Sequence, residues 1–425
     1  MSVVALSPAA MAAHGGVSPA RRVRMGIFCA ALGVLTAWTL ALGIPSSSRA
    51  TMSFNAGAAL SVSPLTIPVR TVNLLLALLC LLAGGYMILR RHGRHSYALL
   101  SIGLVAFTSA FVIWAARDNS LDFTGMLQLT LIDAIPLMFG SMSGIMCERS
   151  GVINIAIEGQ FLAGAFLGAM IASAAGSLWL GVAAAAFAGA LMGAILAFLV
   201  LRYQADQIIV GVVVVTFATG LTDFLTTQVL NNHQTTLNSP STFPNIAIPL
   251  LDKIPVLGPV VFDQNIFVYM ALALVVVFQV ALFHTRWGLR VRAVGEHPLA
   301  AETVGISVIG VRYFNVIAGG ALGGIGGAVF TIGGTGSFTS EISSGLGYVA
   351  LAAMIFGRWI PFRAAAACLL FGFANCLQNF LSVLNVPIPP PFLEMAPYLV
   401  TILAVAGLVG RVRPPAADGQ PYVRG

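Results

Sequence analysis

Charge is what this sequence has least of. Only 8% of its 425 residues are Asp, Glu, Lys or Arg, and Lys253 is the only lysine. Each scarcity excludes something. So few charges cannot cover the surface of a soluble chain of this length. A phosphate-binding loop of the Gly-x-x-x-x-Gly-Lys-Ser/Thr type needs its lysine to reach the phosphates, and Leu251-Asp252-Lys253-Ile254-Pro255 has none of the required glycines. If ATP drives this protein, another chain hydrolyses it. The five cysteines (Cys29, Cys80, Cys147, Cys368, Cys376) show no CxxC spacing and read as small hydrophobes rather than a disulfide framework or metal site. The six histidines form no HExxH pattern, and no GxSxG elbow occurs, so neither metal nor serine hydrolysis is supported. The net charge of +7 comes from arginines clustered at the ends of apolar runs, which orients a membrane protein and does not imply nucleic acid.

What is present in excess is apolar surface. Hydrophobic residues make up 58% of the chain, and the mean hydropathy is +0.94. A bilayer accepts this, because one spanning helix needs only ~20 mostly apolar residues. Apolar segments fall at 25–44, 71–89, 98–116, 125–146, 159–176, 178–201, 208–230, 266–284, 315–333, 343–357, 364–383 and 397–410. The expected fold is all-α, a polytopic transmembrane helical bundle of about 10–12 spans with broken or re-entrant helices. The first segment follows Arg21, Arg22 and Arg24 like a signal peptide, but its apolar stretch is longer than a signal core, which favours a retained helix.

Alternation of the spans leaves two orientations. In one, 17 of the 21 Lys and Arg residues fall on a single side, leaving Arg49, Arg70, Arg117 and Lys253 on the other. The positive-inside rule then puts both termini in the cytoplasm. Residues 1–24 read as a disordered cytoplasmic N-terminus, 25–120 as N-terminal transmembrane helices, 121–410 as the core, and 411–425 as a disordered cytoplasmic tail. The largest outer loop, 231–265, is rich in Asn, Thr, Ser and Pro.

Function must lie in the polar interruptions. The first is Glu148-Arg149-Ser150-Gly151-Val152-Ile153-Asn154-Ile155-Ala156-Ile157-Glu158-Gly159, where Gly151 and Gly159 could break a helix beside a solute path; an ordinary cytoplasmic turn is the competing reading. Asp133 and Asp223 are isolated acids in apolar runs. Asp223 reads as interfacial, and Asp133 sits deeper, three residues before Pro136. In the loop 285–314, Pro298 suits a helix start and Gly305 a stop, which frames a peg of about two turns for a cytoplasmic partner, or a plain amphipathic connector. The run Gly319-Gly320-Ala321-Leu322-Gly323-Gly324-Ile325-Gly326-Gly327 predicts close helix packing. Glu341-Ile342-Ser343-Ser344-Gly345 faintly echoes the first interruption.

Three of these stretches, Glu148–Gly159, Ala293–Gly305 and Gly347–Pro361, together resemble the permease subunits of bacterial ABC importers of the branched-chain amino acid and simple-sugar superfamily. The form Glu-Arg-Ser-Gly-Val-Ile-Asn-Ile…Glu-Gly is most similar to the nucleoside or simple-sugar branch, linked to basic-membrane-protein-type lipoproteins and expected in a bacterial inner membrane. The resemblance covers roughly residues 125–410. It implies partners: an ATP-binding subunit with twin ATPase domains, a second homologous permease and a solute-binding lipoprotein, all beside membrane lipid and without nucleic acid. It implies no cofactor in this chain, since ATP binds to the partner. Asn154 and Glu158 map to the translocation path, to which Asp133, Thr216, Glu341 and Ser343 are added from the polar positions of neighbouring segments. ATPase coupling maps to Glu296, His297, Pro298, Ala300, Ala301, Glu302 and Gly305. Gly347, Ala350, Gly357, Arg358 and Pro361 map to the second-half motif. His297 replaces a usual Asn, and Val215 stands where nucleoside-type members often carry Asn, which weakens the substrate inference. The expected function is import of a small polar solute, nucleosides first and pentose-type sugars second. The chain itself is expected not to be an enzyme. An ion-coupled secondary transporter using Asp133, Glu158 or Asp223 is the alternative from another class.

Overall fold

A computed structural model of the protein describes residues 19–54, 63–89, 95–384, 389, 392, 395 and 413–423. Its N-terminal unit contains three helices, α1 (Pro19–Ala37), α2 (Val69–Leu89) and α3 (Ser96–Ala115), and a small sheet of β1 (Arg49–Ser53), β2 (Leu65–Pro68) and β3 (Ser120–Asp122). Strand β1 is central, antiparallel to β2 and parallel to β3. A bilayer offers no water to a polar side chain, so Asn73 turns inward and donates to the carbonyls of Leu40 (2.7 Å) and Ala110 (3.2 Å), which ties the three helices together. Cys29 and Cys80 are buried among Ala83, Met87 and Ala106 as small packing residues.

The larger unit spans residues 125–380 with the C-terminal segment. Its elements are α4 (Phe123–Glu148), α5 (Ile157–Ala175), α6 (Leu178–Arg202), α7 (Gln207–Leu225), the short α8 (Gln234–Leu237), a two-stranded ladder of β4 (Ile246–Ala247) and β5 (Asp263–Gln264), α9 (Ile266–His284), α10 (Arg286–Glu296), α11 (Pro298–Thr303), α12 (Val308–Phe330), α13 (Leu346–Phe356) and α14 (Pro361–Val383). Among the described residues, ten helices are long and apolar enough to cross a membrane, and α13 is a shorter apolar helix. The chain is a multi-pass membrane protein. The expected spans coincide with these helices, except that 397–410 lies outside the described residues. One span begins earlier than its apolar run, because Ser307 caps α12 by accepting from the Gly310 amide at 3.3 Å. The same device opens α7, where Asp206 accepts from the amides of Ile208 and Ile209, and α9, where Asn265 accepts from Phe267 and Val268.

Helix α4 is the buried axis of this unit. Ala134, Ile135, Leu137, Met138, Phe139 and Met142 all lie inside, packed in one core with Phe267 and Val268 of α9, Ala350 and Met354 of α13 and Phe371 of α14. The glycine run lies in α12 and packs closely on several sides, as expected. A methyl on Gly324 would overlap the Ala185 carbonyl oxygen of α6, one on Gly327 the Phe161 carbonyl oxygen of α5, and one on Gly319 the Cys147 sulfur of α4. Backbones approach this closely only without side chains between them. Outward faces stay apolar; on α7 these are Ile208, Ile209, Val212, Val213, Phe217 and Phe224.

Two expectations are corrected. Gly159 does not break a helix; it lies inside α5, where its missing side chain admits the backbone of Val215 from α7. The C-terminal tail is not disordered through 413–423: Ala417 donates to the Gly295 carbonyl at 2.8 Å, and Arg312 holds the Gln420 carbonyl at 3.1 Å. Composition pointed to disorder because the tail has few apolar residues, and its order comes instead from hydrogen bonds to distant elements. The first 18 residues lie outside the described residues.

The seam around α12 predicts an asymmetry between two glycines. Gly324→Ala should lower stability by about 1–3 kcal/mol. Gly220→Ala, whose added methyl meets open space inside α7, should leave it unchanged or raise it by up to about 1 kcal/mol through helix propensity. Thermal unfolding of both variants in detergent checks this; equal losses would remove the steric explanation.

Candidate functional site

The break between α4 and α5 is a tight elbow over 149–156. It is possible because Gly151 adopts φ +89°, a left-handed conformation that glycine accepts freely. The elbow is pinned on several sides. At the end of α4, the Glu148 carboxylate accepts from the Trp359 indole at 2.6 Å. The Arg149 guanidinium donates twice to the Trp359 carbonyl, at 3.2 and 3.1 Å. Burial lowers the Arg149 pKa, opposed by the nearby Glu296 carboxylate. The Ile153 amide donates to Gln207 Oε1 at 2.7 Å, which joins the elbow to the start of α7.

Asn154 is wholly buried in this elbow. Its amide donates to Ser143 Oγ (3.2 Å) and Gln160 Oε1 (3.3 Å), and Gln160 Nε2 donates back to Asn154 Oδ1 (3.2 Å). The network joins α4, the elbow and α5, and sequence reading named only Asn154 of its three members. Ser143 and Gln160 carried no signal, since a single Ser or Gln in an apolar run has many uses.

Glu158, in the first turn of α5, crosses to the second interruption. Its carboxylate accepts from Ser343 Oγ (2.6 Å), the Gly345 amide (2.9 Å) and the Gly347 amide (2.7 Å). The last two are among the orphan donors of the α13 N-terminus, so Glu158 caps a helix from another part of the chain. The structure thus brings Glu158 and Ser343 together and sets Asn154 nearby in sequence with its own partners. It does not gather the remaining candidates. Glu341 is exposed in the loop before α13, with φ +57°. Thr216 lies on the exposed face of α7 and donates to the Val212 carbonyl of its own helix at 3.0 Å. Asp133 is part-buried in α4, and its Oδ2 has no hydrogen-bond partner among the described residues. Asp223 lies in the last turn of α7.

The coupling candidates form a compact feature. Thr285 caps α10, His297 separates α10 from α11, and Pro298 begins α11. Gly305 follows with φ +83°. Leu299, Ala300 and Val304 are exposed, whereas Ala301 turns inward against Val294 and Val308. Arg312, counted by sequence among the loop charges, proves to be fully buried near the start of α12; an arginine inside a spanning segment is the signal that could have marked it. Among the described residues, no group of three or more His, Cys, Asp or Glu could hold a metal.

Broken elements stitched through buried carboxylates and amides, in a chain with ten helices long and apolar enough to cross a membrane among its described residues, point to a membrane permease. The chain belongs to the branched-chain amino acid transport system permease component family, whose model matches residues 126–406. Among curated proteins it is 40% identical over 305 residues to the guanosine ABC transporter permease protein NupQ of Bacillus subtilis, covering 70% of this chain and 95% of that one. It is 37% identical over 307 residues to the nucleoside ABC transporter permease protein NupC of Lactococcus lactis, covering 69% and 95%. A putative glucose ABC transporter permease protein, TsgC13 of Haloferax volcanii, is 30% identical over 270 residues, covering 63% and 80%. No solved structure matches the chain significantly.

The Glu158 clamp predicts a graded response. Glu158→Gln turns one acceptor into a donor facing amide donors and should cost about 2–3 kcal/mol. Ser343→Ala should cost about 1 kcal/mol. Thermal unfolding in detergent reads both, and an unaltered Glu158→Gln protein would show that the clamp does not hold α13.

Proposed function

We propose that this chain is the membrane-spanning permease of an ATP-driven importer that carries nucleosides across a bacterial inner membrane, with both termini in the cytoplasm. The observation that carries the reading is the identity of 37–40% to permeases named for guanosine and nucleosides, along 95% of each of their lengths. The partners are a separate ATP-binding subunit, which hydrolyses the ATP, a second homologous permease, and a solute-binding lipoprotein that delivers solute at the outer loops. Alternating access follows because ATP binding favours one state of the complex over another. A sugar as solute is the second reading, favoured by the glucose-named relative at 30% identity.

Within this reading, α11 is the peg that meets the ATPase, presenting Leu299 and Ala300 with Glu296, His297, Pro298, Glu302 and Gly305 around them, while Ala301 seats it on the permease. Asp133, Asn154, Glu158, Thr216, Glu341 and Ser343 are the path candidates. Asp133 is the path candidate with a buried acceptor oxygen that no described residue fills, so contact with a solute there requires α4 or its neighbours to move. Asn154, Glu158 and Ser343 are engaged with protein partners and serve the path by fixing the ends of α5 and α13.

The deciding experiment is uptake of labelled guanosine and of labelled sugars by cells with and without this chain, with the proton gradient collapsed and ATP maintained. Chain-dependent guanosine uptake that survives the collapse is expected; loss with the gradient would turn the reading to a secondary transporter. Replacing the exposed Leu299 and Ala300 together by Asp should abolish uptake while the protein still accumulates in the membrane, and normal uptake would remove α11 from the coupling role.

A further inference from the structure

The C-terminal segment 413–423 lies across α10–α11 and the elbow, which also touch directly where Gly295 packs on the backbone of Arg149 and Gly151. On one side it touches the docking loop: the Ala417 amide donates to the Gly295 carbonyl (2.8 Å), the Ala416 amide to Glu296 Oε2 (3.2 Å), and the Tyr422 hydroxyl to the Glu302 carboxylate. On the other side it reaches the elbow. Arg312 donates through Nε to the Ser150 carbonyl (3.1 Å) and through Nη1 and Nη2 to the carbonyls of Gln420 (3.1 Å) and Ala417 (3.5 Å). The Tyr422 ring lies under the same guanidinium, 5.9 Å from ring centre to Cζ. Gly419 faces Ile153 of the elbow. The Asp418 carboxyl is turned inward against Glu148 at the end of α4 and towards Arg312.

We propose that residues 414–422 form a strap that fastens the docking loop α10–α11 to the elbow and the end of α4, with Arg312, Asp418 and Tyr422 as positioning residues for coupling. The proposal rests on the reading of α11 as the ATPase contact. Its physical basis is the shape of that loop. A six-residue helix, joined to α10 through His297 alone and followed by a left-handed Gly305, is seated by Ala301 against Val294 and Val308, so a displacement of it is carried to those neighbours. The strap closes the loop with hydrogen bonds to Gly295, Glu296 and Glu302 and passes its displacement to Ser150, Ile153 and Glu148. The elbow holds Asn154, four residues beyond Ser150, so the strap reaches the hinge between α4 and α5.

The strap has a built-in pH response. Asp418 faces Glu148 and the Cys147 thiol from α4 and Arg312 from α12, with Glu296 of α10, Glu302 of α11 and Arg149 of the elbow at the strap's margins. Its Oδ1 is buried with no donor. Burial pushes the Asp418 carboxyl up to about 7, against the pull of Arg312. An undocked tail has an ordinary aspartate, so the docked form binds the extra proton. Docking is therefore strongest below about pH 4 and weakens as pH rises through 7, with a docking constant about tenfold smaller at pH 8 than at pH 6.

The test uses the full chain in its assembled transporter, reconstituted in lipid vesicles. Hydrogen exchange of 413–423, corrected for intrinsic amide rates, is read at pH 6 and pH 8, together with guanosine uptake per ATP hydrolysed. Protection should fall about tenfold between the two pH values in the native chain and stay flat in Asp418→Asn. Uptake per ATP should follow the same two profiles and drop by about threefold or more in Tyr422→Phe and on deletion of 413–425. A tail that exchanges freely at both pH values, or an uptake per ATP unchanged by all three variants, overturns the strap. The Leu299→Asp, Ala300→Asp protein measured alongside separates the two readings. Lost uptake there with intact coupling in the strap variants overturns the strap alone, and normal uptake there overturns the docking reading and the strap with it.

Discussion

A break in a helix that is buried inside the protein has no water to satisfy its freed polar groups, and this constraint organises the larger unit of the protein. Wherever the chain leaves helical geometry between α4 and α5, or before α13, the freed donors and acceptors meet a named protein partner. Glu158 takes up the amides at the start of α13, Gln207 takes the Ile153 amide, and Arg149 secures the Trp359 carbonyl. An unpaired group at such a position costs several kcal/mol. The breaks are therefore not loose places. They are joints whose polar contents are fixed from outside the segment that contains them.

Close packing supplies the complementary half. The glycines of α12 bring its backbone against α5 and α6 so tightly that the contact is made largely by main chain. Main-chain contact is rigid, because no rotamer can change. With α12 held in this way, α4 is buried between α13, α14 and α9, and the elbow leaves the end of that buried axis.

The function follows from this combination and not from any reactive group. The chain offers no nucleophile with a base and no phosphate loop. Among the described residues it offers a buried Asp133 oxygen with no hydrogen-bond partner and a short helix, α11, with Leu299 and Ala300 exposed. The relatives named for guanosine and nucleosides match this chain along 95% of their own lengths, and residues 19–122 lie outside the family match at 126–406.

Much of this was legible in the sequence by itself. Long apolar runs determine spans because the bilayer thickness sets their length, and Pro298, Gly305 and the glycine run carry their meaning locally, through φ angles and the absence of a side chain. Three motifs in order were enough to indicate the permease family. Tertiary structure alone decided what the buried polar residues do. Glu158 could be a solute ligand or a cap until Ser343, Gly345 and Gly347 are seen against it, 185 residues or more away. Ser143 and Gln160 become significant only beside Asn154. Ala301, inside the docking motif, turns inward because Val294 and Val308 lie beneath it. The tail looked disordered because its composition buries little apolar surface, and its order depends on Arg312, Gly295 and Glu302, more than a hundred residues distant. Hydrophobic length is a local property and can be read along the chain; the partner of a buried charge is a property of the fold and cannot.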